Sequence, residues 1–455
     1  MSQFQWQARK TGPDGADGGF RRASGTSSSL LQTSEALTEL KYKLHQRLIE
    51  ELDPGKLDGL EPAKAREAVE SSARTLIAQE MPGIVGVTRD ELVSAVADEV
   101  LGLGPIEPMV KDSSVSEIMV NAPDTIFYEK EGRLFLSPIR FRDANHILRI
   151  AERIIAPLGR RVDESSPMVD ARLADGSRVN IIIPPVAPRS PTITIRKFRE
   201  DKMKAEDLIA TGTFPREVAE LLRACIQVKL NIVISGGTGT GKTTLLNALS
   251  AFIPETERII TVEDPTELKL QQNHVVSLEA KPPSLEGKGE VTQRDLVRNC
   301  LRMRPDRILV GEVRGPEAFD MLQAMNTGHE GSLTTVHSNS PRDALARIEN
   351  MILMAGLDLP IRAIREQMSS AIHMVVQIAR LPDGTRKVTT ISEVTGMEGQ
   401  VVTMQDIFRF DQKGIDSDGH VVGEFHFTGI HPQFAEKFKL AGIQLPPDIF
   451  GAQGW

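Results

Sequence analysis

Asn231-Ile232-Val233-Ile234-Ser235 runs into Gly236-Gly237-Thr238-Gly239-Thr240-Gly241-Lys242-Thr243-Thr244. A short β-branched strand delivers the chain to a glycine-rich turn, and a helix opens near Lys242. Residues 236–243 satisfy the phosphate-loop pattern of Gly, four free positions, Gly-Lys-Thr. In such a loop the backbone N–H groups surround an anion, and the helix aims its positive end at the same point. Glycines at 236, 237, 239 and 241 let the backbone approach phosphate oxygens that bulky side chains would hold off. Lys242 supplies a point charge for the β- and γ-phosphates, and Thr243 a hydroxyl for Mg²⁺. The stretch predicts a site for a nucleoside triphosphate in an α/β domain.

Outward from the loop, strands and helices alternate from Pro215 onward. Strands are expected at 231–235, 258–264, 307–311 and 332–336, with helices to about Phe252, at 292–303 and 316–326, and two more before Met374. That order implies a largely parallel sheet with helices on both faces. Upstream, 117–121, 125–128, 133–136 and 192–196 read as strands, 144–158 as a helix, and 168–172 with 178–183 as a hairpin about Asp175-Gly176. Further upstream, Leu37, Leu40, Leu44 and Leu48, then 63–77 and 91–96, follow a helical period. The expected division is a disordered arm (1–30), a helical bundle (31–100), an α+β domain (101–200), a linker (201–214), the phosphate-loop domain (215–396) and a C-terminal appendage (397–455).

At 455 residues the chain exceeds what one core supports. Its composition, 40% hydrophobic and 25% charged, is that of a soluble globular protein. A net charge of −8 and only 4% aromatic residues argue against a nucleic-acid partner. Two distant cysteines, Cys225 and Cys300, read as buried free thiols in a reducing compartment. No apolar run approaches the ~20 residues of a membrane span, so the expectation is a cytoplasmic protein that meets a membrane only through partner proteins.

In open α/β sheets, ligands lie outside the carboxyl ends of the strands. Three such ends here carry acids or imidazoles. Residues 258–265 end in Glu263-Asp264-Pro265, where a carboxylate can orient the water that attacks the γ-phosphate. The alternative is an acid that merely caps a helix or solvates a turn. Residues 307–312 end in Gly311-Glu312; the usual Asp is missing, which leaves Glu312 to position Mg²⁺ or water alone. His329 and His337 flank the strand 332–336. A neutral imidazole there can sense the γ-phosphate, whereas the pair lacks the third ligand of a metal site. Arg172, Arg178 and Arg196 lie at or beside strands of the α+β domain and can compensate phosphoryl charge, including in trans.

The blocks 236–244 (Gly-Gly-Thr-Gly-Thr-Gly-Lys-Thr-Thr), 261–265 (Thr-Val-Glu-Asp-Pro), 304–314 (Arg-Pro-Asp-Arg-Ile-Leu-Val-Gly-Glu-Val-Arg) and 328–338 (Gly-His-Glu-Gly-Ser-Leu-Thr-Thr-Val-His-Ser) together resemble the type II/type IV secretion ATPase superfamily. They stand in its order of Walker A, Asp box, Walker B and His box. The helical N-terminal region and Asp-Ala-Arg-Leu-Ala-Asp-Gly-Ser-Arg-Val-Asn (170–180) look most like the Tad/Cpa (tight-adherence) pilus motor. The resemblance implies a RecA-like domain behind a PAS-like α+β domain, a mobile linker and a homohexameric ring that uses ATP and Mg²⁺. It implies that residues 236–244 bind phosphate, that Thr243 and Glu312 serve the metal, and that Glu263 and Glu312 share water activation. His337, and less directly His329, would sense phosphate, with Arg172, Arg178 and Arg196 contacting it. Two cysteines cannot build the four-cysteine zinc element of some members.

The function implied is a motor at the inner membrane that drives pilin assembly through a platform protein, with retraction, or both by one motor, as the variant readings. A conjugation or effector-translocation ATPase, a nucleotide-gated scaffold with little turnover, and a nucleic-acid translocase are the alternatives.

Overall fold

The computed structural model describes residues 44, 47, 48, 61–80, 83, 86–130, 132–198, 203–283, 288–446 and 449. The expected arm at 1–30 lies outside them, as do Leu37 and Leu40. The chain divides into two units, Met1–Arg199 and Glu200–Trp455.

The first unit holds strands β1 (Val115–Ala122), β2 (Thr125–Lys130), β3 (Arg133–Leu136), β4 (Met168–Arg172), β5 (Arg178–Ile182) and β6 (Thr192–Arg196). They form one antiparallel sheet in the order β3-β2-β1-β6-β5-β4. The helix Ala144–Ile155 starts where the Asp143 carboxylate accepts the His146 N–H at 2.7 Å. It buries Ile147, Ile150 and Ile154 against Ile118, Val120, Ile181, Ile193 and Ile195. Alternation decides the sheet's two faces: Val179, Ile181, Ile193 and Ile195 point into the core, while their neighbours face solvent. Upstream, the helices Pro62–Glu80 and Val87–Leu101 pack through Leu76, Ile77, Leu92 and Val96. The buried Asp98 joins them to the α+β part, since its Oδ1 lies 2.8 Å from both Arg66 Nη1 and Lys111 Nζ.

The second unit is a doubly wound α/β structure. Its strands are β7 (Ile232–Gly236), β8 (Ile259–Glu263), β9 (Val275–Glu279), β10 (Arg307–Val310), β11 (Leu333–His337), β12 (Met374–Arg380), β13 (Arg386–Glu398), β14 (Val401–Ile415) and β15 (Val421–Phe427). The sheet order is β15-β14-β13-β12-β7-β11-β10-β8-β9. The six from β12 to β9 run parallel, and β13, β14 and β15 extend the sheet antiparallel. Alternate residues serve two cores: Ile232 and Ile234 face the helices Arg216–Gln227 and Lys242–Ser250, while Val233 faces Glu317–Asn326, Pro341–Met354 and Ile361–Ala371. Each fully buried aliphatic side chain contributes about 1.5–3 kcal/mol, and helices on both faces explain why the central strands are apolar without alternation.

Two expected boundaries differ from what is observed. Residues 201–214, expected as a linker, contain the helix Ala205–Ala210, and Leu208 and Phe214 are buried in the core of the second unit. Residues 397–455, expected as an appendage, supply β14 and β15 to the main sheet, while Phe408, Phe434 and Phe438 pack into the same core. Strand β9 was not expected.

Candidate functional site

The buried strand β7 ends at Gly236, where an added Cβ would meet the Ile378 carbonyl oxygen at 2.5 Å. Only glycine lets the chain turn there against β12. Gly241, at φ 95°, sits in the left-handed region and starts the helix Lys242–Ser250 with no side-chain cap. The first N–H groups of that helix therefore remain available to an anion. Thr240 Oγ1 donates to Gly237 O at 3.0 Å, and Lys242 Nζ donates to the same oxygen at 2.8 Å. Lys242 is buried, Thr238 is exposed at the crest of the loop, and Thr243 and Thr244 lie half-buried in the first helical turn.

Strand β11 pairs with β7 so that His337 stands opposite Gly236. Lys242 Nζ lies 3.4 Å from His337 Nδ1, and His337 Nε2 lies 2.7 Å from Glu312 Oε1. Burial, then the Lys242 ammonium, hold the His337 imidazole below its usual pKa, against the pull of Glu312. The ring is thus neutral at physiological pH. Glu312 sits on a fixed turn: Thr335 Oγ1 donates to Gly311 O at 2.8 Å, and Glu317 Oε1 accepts the N–H groups of Arg314 and Gly315, each at 2.8 Å. Arg314 Nε is 3.8 Å from Glu312 Oε2, and the same guanidinium donates to Asp264 O. A carboxylate so held beside a neutral imidazole and the loop lysine can orient a water and take its proton.

Glu263 does not share that position. Its carboxylate is buried, and Oε2 accepts the N–H groups of Glu267 at 2.7 Å and Leu268 at 2.8 Å. Through Oε2 it caps the turn after β8, and burial raises its pKa to about 7. The missing Asp at 311 has a steric cause here, since a Cβ on Gly311 would meet Glu263 Cγ at 2.8 Å.

His329 does not join the site either. It precedes Leu333, the start of β11, whereas His337 ends the strand beside the loop. Five residues of strand, roughly 16 Å, separate the two ends. His329 belongs to the base of the sheet, where its carbonyl accepts from Ser332 Oγ at 2.9 Å.

In the first unit, Arg172 pairs with Arg178 across β4 and β5, and Arg178 pairs with Arg196 across β5 and β6. Directly opposed residues share a face, so the three arginines form one row on the solvent side of the sheet. Glu117 extends the row beyond Arg196.

Residues that the sequence did not single out also shape the site. Ser235 Oγ and Ser338 Oγ lie 2.7 Å apart and link β7 to the turn after β11. The hydroxyl of Thr335 and the buried Glu317 fix the turn that carries Glu312. Hydroxyl and carboxylate side chains one strand away from a motif were the available signal.

A triphosphate fits this cradle: glycines are required by contact and by φ, the helix end is uncapped, and a buried ammonium stands over the loop. Mg²⁺ would take the Thr243 hydroxyl and the Glu312 carboxylate, with phosphate oxygens and water completing its shell. Among the described residues no three His, Cys, Asp or Glu side chains gather as a metal site, and no helix is long and apolar enough to cross a membrane.

Residues 99–417 match the family described as Type II/IV secretion system protein. A Mycobacterium tuberculosis protein named "Putative conjugal transfer protein" is 38% identical over 309 residues, covering 67% of this chain and 87% of that protein. The type IV secretion system protein VirB11 of Bartonella henselae is 32% identical over 341 residues, covering 66% of this chain and 94% of its own. The crystal structure of the VirB11 ATPase of the Brucella suis type IV secretion system is 29% identical, with a TM-score of 0.34, covering 63% of this chain and 94% of that one.

Proposed function

The chain belongs to the Type II/IV secretion system protein family, and from that premise we propose that it is the hexameric motor of a Tad-type pilus, acting on pilin through an inner-membrane platform protein. It is an ATP hydrolase with a RecA-like core. The observation that carries the reading is the contact series from Lys242 to His337 to Glu312, at 3.4 and 2.7 Å. ATP with Mg²⁺ would supply the phosphoanhydride and the charge that polarises it. Lys242, held here by Gly237 O and His337, turns to the phosphates. His337 follows its loss of that partner, and Glu312 orients the attacking water and accepts its proton. Loss of the γ-phosphate then returns Lys242 to His337, which makes the imidazole a phosphate sensor. The row of Arg172, Arg178 and Arg196 supports a phosphate-contacting role, because adjacent guanidinium groups attract a polyanion.

The Tad assignment rests on the likeness of residues 170–180 and of the N-terminal helices. A second reading, a type IV secretion or conjugation ATPase, is favoured by the names of the relatives. One experiment tests both. The gene is deleted and complemented with wild type or Glu312→Gln, and surface fibres and transfer of DNA or effector are scored. Loss of fibres restored only by wild type supports the pilus motor. Loss of transfer with fibres intact selects the second reading. A purified chain that hydrolyses no ATP overturns both in favour of a scaffold.

A further inference from the structure

Beyond the four motifs, one side chain reaches the phosphate loop from the far side of β12. Arg386 opens β13, and its Nε donates to Gly239 O at 3.1 Å. Its Cδ lies 3.2 Å from where a Cβ on Gly241 would stand. The next two residues face the other way along the chain. Lys387 Nζ donates to Gly212 O at 2.6 Å and lies over the Phe410 and Phe425 rings, 6.0 and 5.6 Å from their centroids. Val388 N–H donates to Thr213 O at 2.9 Å. Gly212 and Thr213 belong to the segment by which the chain enters the second unit. Three consecutive residues thus tie the crest of the loop to that segment.

The turn before Arg386 is itself anchored. Asp383 accepts from the Thr385 N–H at 2.9 Å, from Thr385 Oγ1 at 2.7 Å, and from the Val421 N–H at 2.9 Å. The hairpin that presents Arg386 is therefore held by β15 as well as by β12.

Peptide planarity gives the contact a consequence for binding. The Gly239 carbonyl and the Thr240 N–H share one trans peptide, so they point in opposite directions. Holding the carbonyl toward Arg386 turns the Thr240 N–H away from it, to the side left for a phosphate. A loop set in advance costs less to order when its ligand arrives.

Resting on the reading of this loop as the ATP site, we propose that Arg386 is a positioning residue for the nucleotide. It presets the loop crest, and through Lys387 and Val388 it couples occupancy of the loop to Gly212 and Thr213. The contact leaves the reacting atoms alone, so its loss weakens binding more than turnover.

The test compares wild type, Arg386→Ala, Arg386→Lys and Lys242→Ala. Steady-state ATP hydrolysis is measured alongside hydrogen exchange of residues 211–214 and 386–390, with and without saturating ADP. Arg386→Ala is expected to raise KM about tenfold with kcat within about twofold. Arg386→Lys, which keeps a donor, recovers most of that loss. ADP is expected to slow exchange at 211–214 in wild type and to lose this effect in Arg386→Ala, although that variant still binds ADP at saturation. An unchanged KM in Arg386→Ala, or equal ADP-dependent protection in the two proteins, overturns the proposal while the ATP site stands. If wild type itself binds no ATP, or Lys242→Ala binds it equally well, the site assignment fails and the proposal falls with it.

Discussion

The two ends of the parallel sheet in the second unit both gather charged and polar side chains, and they handle them in opposite ways. At the base, Arg307 is fully buried: Nε lies 2.5 Å from Glu257 Oε2, and Nη2 and Nη1 donate to Ile226 O and Gly331 O at 2.8 and 3.3 Å. Gly331 leaves the space that this guanidinium fills. Beside it, buried Asn231 accepts the Gly331 and Ser332 N–H groups at 2.8 and 3.0 Å and donates to Ala371 O at 2.7 Å. At the loop end, His337 meets Glu312 at 2.7 Å and stands 3.4 Å from Lys242 Nζ, and His337 and Glu312 keep about a third of their side chains exposed. Short, complete, dry networks hold strands in register. Partly exposed ones can exchange partners, which is what chemistry requires.

Breaking the base should therefore cost stability, and breaking the loop end should cost turnover. Arg307→Ala leaves Glu257 without its main partner and is expected to destabilise the chain by about 3–5 kcal/mol, read by denaturant unfolding. A loss below about 1 kcal/mol would mean that the base is no more demanding than an exposed ion pair.

Glu263 sits between the two extremes, a buried carboxyl at the loop end. Its pKa is raised from 4.5 to about 7, so the folded chain holds this proton more tightly than the unfolded one. The stabilisation is complete below about pH 4.5 and is lost as pH rises through about 7, on the order of 3 kcal/mol. Glu263→Gln should flatten that fall in unfolding measured against pH. An unchanged slope would show that the group titrates normally.

Glu312→Gln is expected to lower kcat about a hundredfold, with folding stability within about 0.5 kcal/mol of wild type. Comparable loss of stability would place Glu312 with the base, not the site. His329→Ala is the smallest effect, with turnover within about twofold. A large fall would return His329 to the chemistry.

The sequence made the loop end legible because its strand, glycines and lysine form one contiguous stretch, and because Glu312 and His337 each follow an apolar strand. His329 was also decidable. It precedes its strand, and in a parallel sheet the start of a strand lies at the end opposite the ligand. Glu263 was not decidable, since a carboxylate after a strand can face water or cap a turn, and only the N–H groups of Glu267 and Leu268 choose between these. The C-terminal strands hid because β14 is exposed for much of its length, which erases the alternation that marks a half-buried strand. The helix Ala205–Ala210 was too short to show a period.

Gly311 and the carboxyl arm of Glu263 occupy one volume, although 263 and 311 are far apart along the chain. Installing aspartate at 311 alone overfills that space, and trimming 263 alone hollows it. Only a linked exchange, with bulk moved from one position to the other, keeps the packing constant. The space between the two strand ends therefore admits one acidic side chain, from 263 or from 311, but not both.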